Sequence, residues 1–154
     1  MTRTVGIIGL GNAGKHICMN LHRNGHKVYC LDLNTQLYDG LPADIEPVAN
    51  AREMAEKTTH VVTALPKPAA VLACVNGENG LFAGAREGFV WCDASTTDRK
   101  QTIELGKLAS EKGVIMLEGT MTGGMMALRQ NKMVCLAGGN EEHFKVITKY
   151  NVKL

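Results

Sequence analysis

Apolar runs of strand length recur along this chain, separated by stretches whose apolar positions fall three and four apart. The runs are TVGIIG (4–9), HKVYCLD (26–32), HVVTALP (60–66), GFVWCD (88–93), GVIMLE (113–118) and KMVCLAG (132–138). Most are continuous rather than alternating, as in strands buried on both faces. ADIEPV (43–48) reads as a further strand, held at a sheet edge because Pro47 cannot donate to a central ladder.

The intervening segments carry helical spacing. Residues 12–24 predict a helix with Ile17 and Leu21 facing a sheet and Asn20, His22 and Arg23 turned outward. Asn50 followed by Glu53 has the spacing of a capping box and opens a helix running to Lys57. Residues 68–76, with Val71, Leu72 and Val75, predict a third helix. Residues 98–112, with Leu105, Leu108 and Ala109, predict a fourth, stopped by Gly113. The last segment, NEEHFKVITKYNVKL, reads as a helix fading into a polar tail. This β-α alternation predicts one domain over residues 1–154: an α/β, Rossmann-type, doubly wound and mostly parallel sheet with helices on both faces. Right-handed crossovers bring the strand ends to one edge, where such sheets bind ligands.

Where the first strand meets the first helix, Gly9, Gly11 and Gly14 stand in the spacing G-x-G-x-x-G, within the turn Gly9-Leu10-Gly11-Asn12-Ala13-Gly14. Gly9 permits a tight turn, Gly11 lets a pyrophosphate approach the backbone, and Gly14 lets the helix pack closely on the strand. The first helical amides, around Asn12 and Ala13, then face the phosphates with the positive end of the helix dipole behind them. Asp32 ends the second strand, where a carboxylate accepts from a ribose 2′-OH and repels a 2′-phosphate. NAD is therefore favoured over NADP, although flavin and S-adenosylmethionine folds use similar turns.

Composition narrows the field. A net charge of +2 with both signs dispersed leaves no basic stripe for nucleic acid. The five cysteines are odd in number and contain no C-x-x-C, which argues against a disulfide framework or a metal site. They read as buried thiols of a reducing compartment. No apolar run approaches the roughly 20 residues that span a bilayer. The first run starts at Val5, leaving no space for a targeting peptide. The expected location is cytoplasmic, away from membranes.

Six motifs in order, GIIGLGNAG, VVTALP, NGENGLFAG, WCDAST, EGTMTGG and MVCLAGG, resemble the cofactor domain of the β-hydroxyacid dehydrogenases, from about Val5 to Gly139. This is the family of 3-hydroxyisobutyrate dehydrogenase, allied to 6-phosphogluconate dehydrogenase. The resemblance implies reversible oxidation of a small 3-hydroxy acid to its semialdehyde, with hydride passing to the nicotinamide of NAD. It implies that Leu65 and Pro66 border the cofactor ribose, that Thr96 contacts the nicotinamide side, and that Thr122, Gly123 and Gly124 hold the substrate carboxylate. An acid such as Asp32 marks NAD-preferring relatives, whereas NADP-preferring ones tend to carry Asn-Arg there. The chain departs from the family in two places. The usual Asp-Ala-Pro-Val-Ser-Gly-Gly is here Glu118-Gly119-Thr120-Met121-Thr122-Gly123-Gly124, and Ala13 stands where Met is common.

The family's proton donor is a lysine on a second, all-helical domain, which lies beyond this chain. Lys132, Lys145, Lys149 and Lys153 are not in that motif; His16 is expected to point outward and His60 merely opens a strand. No catalytic residue is therefore expected here, and the chain should bind cofactor while turning over slowly or not at all. It should also self-associate through the edge that the helical domain would cover. Two other readings remain: a non-catalytic short dinucleotide-binding protein serving sensing or assembly, and a scaffold with a vestigial glycine turn.

Overall fold

The computed structural model describes residues 3–130, 132 and 134–148. Along the chain run β1 (Thr4–Ile8), α1 (Asn12–Arg23), β2 (Lys27–Leu31), β3 (Glu46–Pro47), α2 (Ala51–Lys57), β4 (His60–Thr63), α3 (Pro68–Val75) and α4 (Leu81–Gly84). They are followed by β5 (Val90–Asp93), α5 (Arg99–Glu111), β6 (Ile115–Thr122), α6 (Gly124–Arg129), β7 (Val134–Gly139) and α7 (Glu141–Thr148). The strands form one seven-stranded sheet in the order β3-β2-β1-β4-β5-β6-β7. All neighbours are parallel except β7, which runs antiparallel to β6. This is the doubly wound arrangement expected from the sequence, with Pro47 on the edge strand β3.

Successive strand residues point to opposite faces, and this divides the core in two. Val5, Ile7, Val28, Cys30, Val62 and Cys92 face α1 and α6 and meet Ile17, Cys18, Leu21 and Leu128. Ile8, Tyr29, Val61 and Trp91 face α2 to α5 and meet Met54, Val71, Leu81, Phe82 and Leu105. Trp91, the chain's one tryptophan, is fully buried; its ring meets Phe82 edge-on at 5.5 Å, and its Nε1 donates to Thr63 Oγ1 at 2.9 Å. The Thr63 hydroxyl in turn donates to Asp93 Oδ1 at 2.8 Å. All five cysteines are free, and burial pushes the thiols of Cys18, Cys74 and Cys92 up to about 12.

Local signals set most boundaries. Asn50 Oδ1 accepts from the Glu53 amide, while Glu53 Oε2 reaches back to the Ala49 amide, one residue earlier than the simple capping box. Asp98 caps α5 by accepting from the Gln101 amide, and Gly113, at φ +67°, ends it.

Four expectations change. Asn20 is buried, not outward: its Nδ2 donates to the Leu128 carbonyl at 3.2 Å, because α6 packs where solvent was expected. Leu72 and Leu108, placed on apolar helix faces, are instead exposed. The strand expected to end at residue 118 continues to Thr122, because β7 pairs with it from Leu117↔Gly139 to Thr122↔Val134. The short helices α4 and α6 are also new. Lys149, Lys153 and Met133 lie outside the described residues, so the polar tail is seen only as α7.

At the amino ends of the strands, burial and the Arg3 guanidinium lower His60 to about 4 from its ordinary 6.5. His26 beside it is lowered by the same causes. Unfolded, His60 takes a proton near pH 6.5; folded, it resists until about pH 4. Between those values the unfolded chain binds more protons, so stability falls as the pH drops through this window. Thermal melts from pH 7.5 to 4 should show that loss, and His60→Gln should flatten the part due to His60.

Candidate cofactor site

The carboxy ends of β1, β2, β4 and β5 lie on one edge of the sheet, and the turns that follow them enclose a cleft of about 770 Å³. Its walls include Gly9, Gly11, Asn12 and Ala13 after β1, Asp32 and Leu33 after β2, Leu65 to Lys67 after β4, and Ala94 and Thr96 after β5. Asp32 and Lys67 are the charged residues among those lining it.

The three glycines of the turn have separable physical roles. Gly9 adopts φ +93°, and a Cβ there would stand 2.5 Å from the Ala64 carbonyl oxygen. At Gly14 a Cβ would fall 1.7 Å from the Gly9 carbonyl oxygen, so only hydrogen fits between helix and turn. At Gly11 a Cβ would meet nothing within 4 Å: this position fronts open cleft. No side chain caps α1 at Gly11, and the first intrahelical bond is Lys15 N to Gly11 O at 3.0 Å. The amides of Asn12 and Ala13 thus precede the helical ladder and stand in the cleft wall, the arrangement that binds anions. These observations fit a dinucleotide pyrophosphate. Leu10 and Gly14 support the turn from behind: the Leu10 side chain is in the core, and its amide donates to Asp32 Oδ2 at 2.6 Å.

Asp32 does more than end β2. Its Oδ1 accepts from the Asn34 amide at 2.8 Å, so both carboxylate oxygens already tie the glycine turn and the next loop together. The Tyr38 hydroxyl brackets the Asp32 backbone, receiving from its amide and donating to its carbonyl. Lys15 Nζ donates to the carbonyls of Leu37 and Asp39 at 3.1 and 2.6 Å and so closes the circuit. Each carboxylate oxygen has a second lone pair for a ribose hydroxyl.

On the far side the loops after β4 and β5 are sewn together. The Thr96 amide donates to the Leu65 carbonyl at 2.9 Å, and the Leu65 amide donates to Ser95 Oγ at 2.9 Å. Ser95 N donates to Asp93 Oδ1 at 3.1 Å, linking this wall to the buried Thr63–Trp91 network. Sequence reasoning singled out Thr96 but missed Ser95, Lys15 and Tyr38. Their roles follow from side chains meeting backbone across loops, and no spacing rule announces that.

Thr122, Gly123 and Gly124 do not line this cleft. Asp93 is in register with Glu118, so β6 runs four residues further, about 13 Å at strand rise, and overhangs the edge of the sheet. Thr122 ends the strand exposed; Gly123 and Gly124, at φ +112° and +70°, turn the chain into α6. Lys132 is exposed, and Lys145 pairs with Glu141 and Glu142; neither lines the cleft.

The family described as the NAD binding domain of 6-phosphogluconate dehydrogenase matches residues 4–150. Among curated proteins, a probable mitochondrial 3-hydroxyisobutyrate dehydrogenase of Dictyostelium discoideum is 32% identical over 150 residues, covering 97% of this chain and 47% of its own length. The mitochondrial 3-hydroxyisobutyrate dehydrogenase of Mus musculus is 30% identical over 141 residues, covering 91% of this chain and 42% of its own length. A solved Mycobacterium tuberculosis 3-hydroxyisobutyrate dehydrogenase with L-serine superposes at TM-score 0.87 and 26% identity, over 97% of this chain and 50% of that one. This chain therefore spans about half the length of the proteins it matches.

The glycine geometry separates folding from ligand contact. Gly14→Ala should cost about 3 kcal/mol or more, because the obstruction is backbone. Gly11→Ala, facing open space, should cost less than about 1 kcal/mol. Urea denaturation of the two variants without cofactor checks the contrast.

Proposed function

Because this chain belongs to the family of the NAD binding domain of 6-phosphogluconate dehydrogenase, we propose that its cleft selects NAD over NADP and serves oxidation of a small 3-hydroxy acid. The observation that carries the reading is the open Gly11 position beside the uncapped amides of Asn12 and Ala13, with Asp32 bonded to the same turn and lining the same cleft. The pyrophosphate lies on those amides, and the adenosine ribose hydroxyls share the free lone pairs of Asp32. A 2′-phosphate would bring negative charge against that carboxylate. Leu65 and Pro66 border the second ribose, and Thr96 lies against the nicotinamide half.

Thr122, Gly123 and Gly124 hold the substrate carboxylate. Support comes from their exposure on the overhanging end of β6 and from two consecutive glycine amides, a geometry suited to anions. When bound, the cofactor accepts hydride from the substrate carbinol. Removing the hydroxyl proton needs a base within hydrogen-bond reach. Lys132 and Lys145 are off the cleft and Lys67 stands in its wall after β4; our reading is that the chain alone turns over slowly or not at all. The five free thiols suit a reducing compartment such as the cytosol.

A second copy of the chain covers the sheet edge at β7. Val134 and Leu136 are 56% and 60% exposed there, and an edge strand offers unpaired backbone groups to another chain.

Fluorescence titration of the chain should give saturable NADH binding, with NADPH weaker by about tenfold or more. Asp32→Ala should lose at least about tenfold in NADH affinity, one charged hydrogen bond's worth. A melt without cofactor separates this loss from any loosening of the glycine turn. No binding of either dinucleotide at millimolar concentration would refute the cofactor reading, and equal binding would refute the selectivity. Sedimentation should show concentration-dependent association that Leu136→Lys reduces.

A further inference from the structure

We propose that Asn20 is a positioning residue: it fixes α6, and with it Thr122, Gly123 and Gly124, at a set place relative to the helix that faces the cofactor phosphates. This rests on the reading of those three residues as the substrate segment.

α6 has six residues, too few to persist without tertiary support. Its attachments to the rest of the fold are sparse. Leu128 is its buried side chain, Met125 and Met126 are exposed, and the two glycines that open it restrain the backbone little. The hydrogen bond from Asn20 Nδ2 to the Leu128 carbonyl is therefore a principal tether, at 3.2 Å and across 108 residues of sequence. The Leu128 carbonyl also accepts a backbone N–H at the C-cap of α6, so the Asn20 amide gives its second lone pair a donor from a distant helix.

Position 20 also carries information by its chemistry. Its neighbours Ile17, Cys18 and Leu21 on α1 are buried in the apolar core, and Asn20 itself is 4% exposed. An amide desolvated in such surroundings is costly unless it is paired, and its bond is directional where a leucine's contact would not be. Along α1, Asn20 stands eight residues from Asn12, about 12 Å at helical rise. From Leu128 back to Gly124 is four residues, about 6 Å. Two short helical spans joined by one buried hydrogen bond thus connect the phosphate-facing amides to the candidate carboxylate segment. Asn20 touches neither ligand.

Hydrogen exchange and amide NMR on the purified 154-residue chain test this. In Asn20→Ala, exchange over residues 122–130 should accelerate tenfold or more, while residues 4–14 and 60–64 keep their protection and NADH affinity stays within twofold. Binding of 3-hydroxyisobutyrate to the NAD⁺-loaded chain should weaken at least tenfold. Unchanged protection over 122–130, or equal loss throughout the sheet, would overturn the proposal. Should Asn20→Ala fail to fold, the wild-type chain decides: slow exchange of the Asn20 side-chain amide protons supports the tether, and exchange as fast as at exposed Asn34 overturns it. If the wild-type chain binds NADH but not 3-hydroxyisobutyrate, the substrate reading fails, and the exchange pattern still judges the tether.

Discussion

One steric constraint underlies the rest: the hydrogen of Gly14 is all that fits against the carbonyl of Gly9. That closeness seats the amino end of α1 directly on the turn leaving β1, so that its first amides open toward the cleft instead of toward the core. Leu10 can then turn its side chain inward and its amide to Asp32. Asp32, Asn34, Tyr38 and Lys15 follow as a closed circuit of hydrogen bonds around the end of β2. The rim of the cleft is thus assembled before any ligand arrives. Preorganisation of this kind reduces the ordering cost that binding must otherwise meet.

How legible this was depends on what kind of interaction made each part. The sheet could be read because its parallel strands are continuous apolar runs and its helices carry boundary signals, with Asn50 opening one and Gly113 stopping another. The glycine turn could be read because backbone sterics admit one residue type at Gly9 and Gly14. Asn20 was misread because a polar residue beside Ile17 and Leu21 looks solvated until α6, more than a hundred residues later, folds over it. The length of β6 was misread for a similar reason: EGTMTGG has the composition of a loop, and only the antiparallel partner β7 makes its first five residues a strand.

The cleft itself is sparing with charge. Its anion-facing side is built from backbone amides and its walls are mostly apolar, with Asp32 and Lys67 at different turns. Fixed backbone dipoles keep their orientation, so amides of this kind can meet a phosphate without a cluster of cations to desolvate. On the proposed reading, a chain of net charge +2 would then need no basic patch to hold a dinucleotide.

Trp91 gives the molecule a property that has nothing to do with its stability. It is the chain's sole indole, fully enclosed, and fixed through Thr63 to the strand whose continuation, Ala64 to Pro66, forms the cleft wall. Indole emission overlaps the absorption of reduced nicotinamide and not of the oxidised form. With reduced nicotinamide in the cleft, this one buried indole on the strand beside the cleft wall would report occupancy by energy transfer, with no label required.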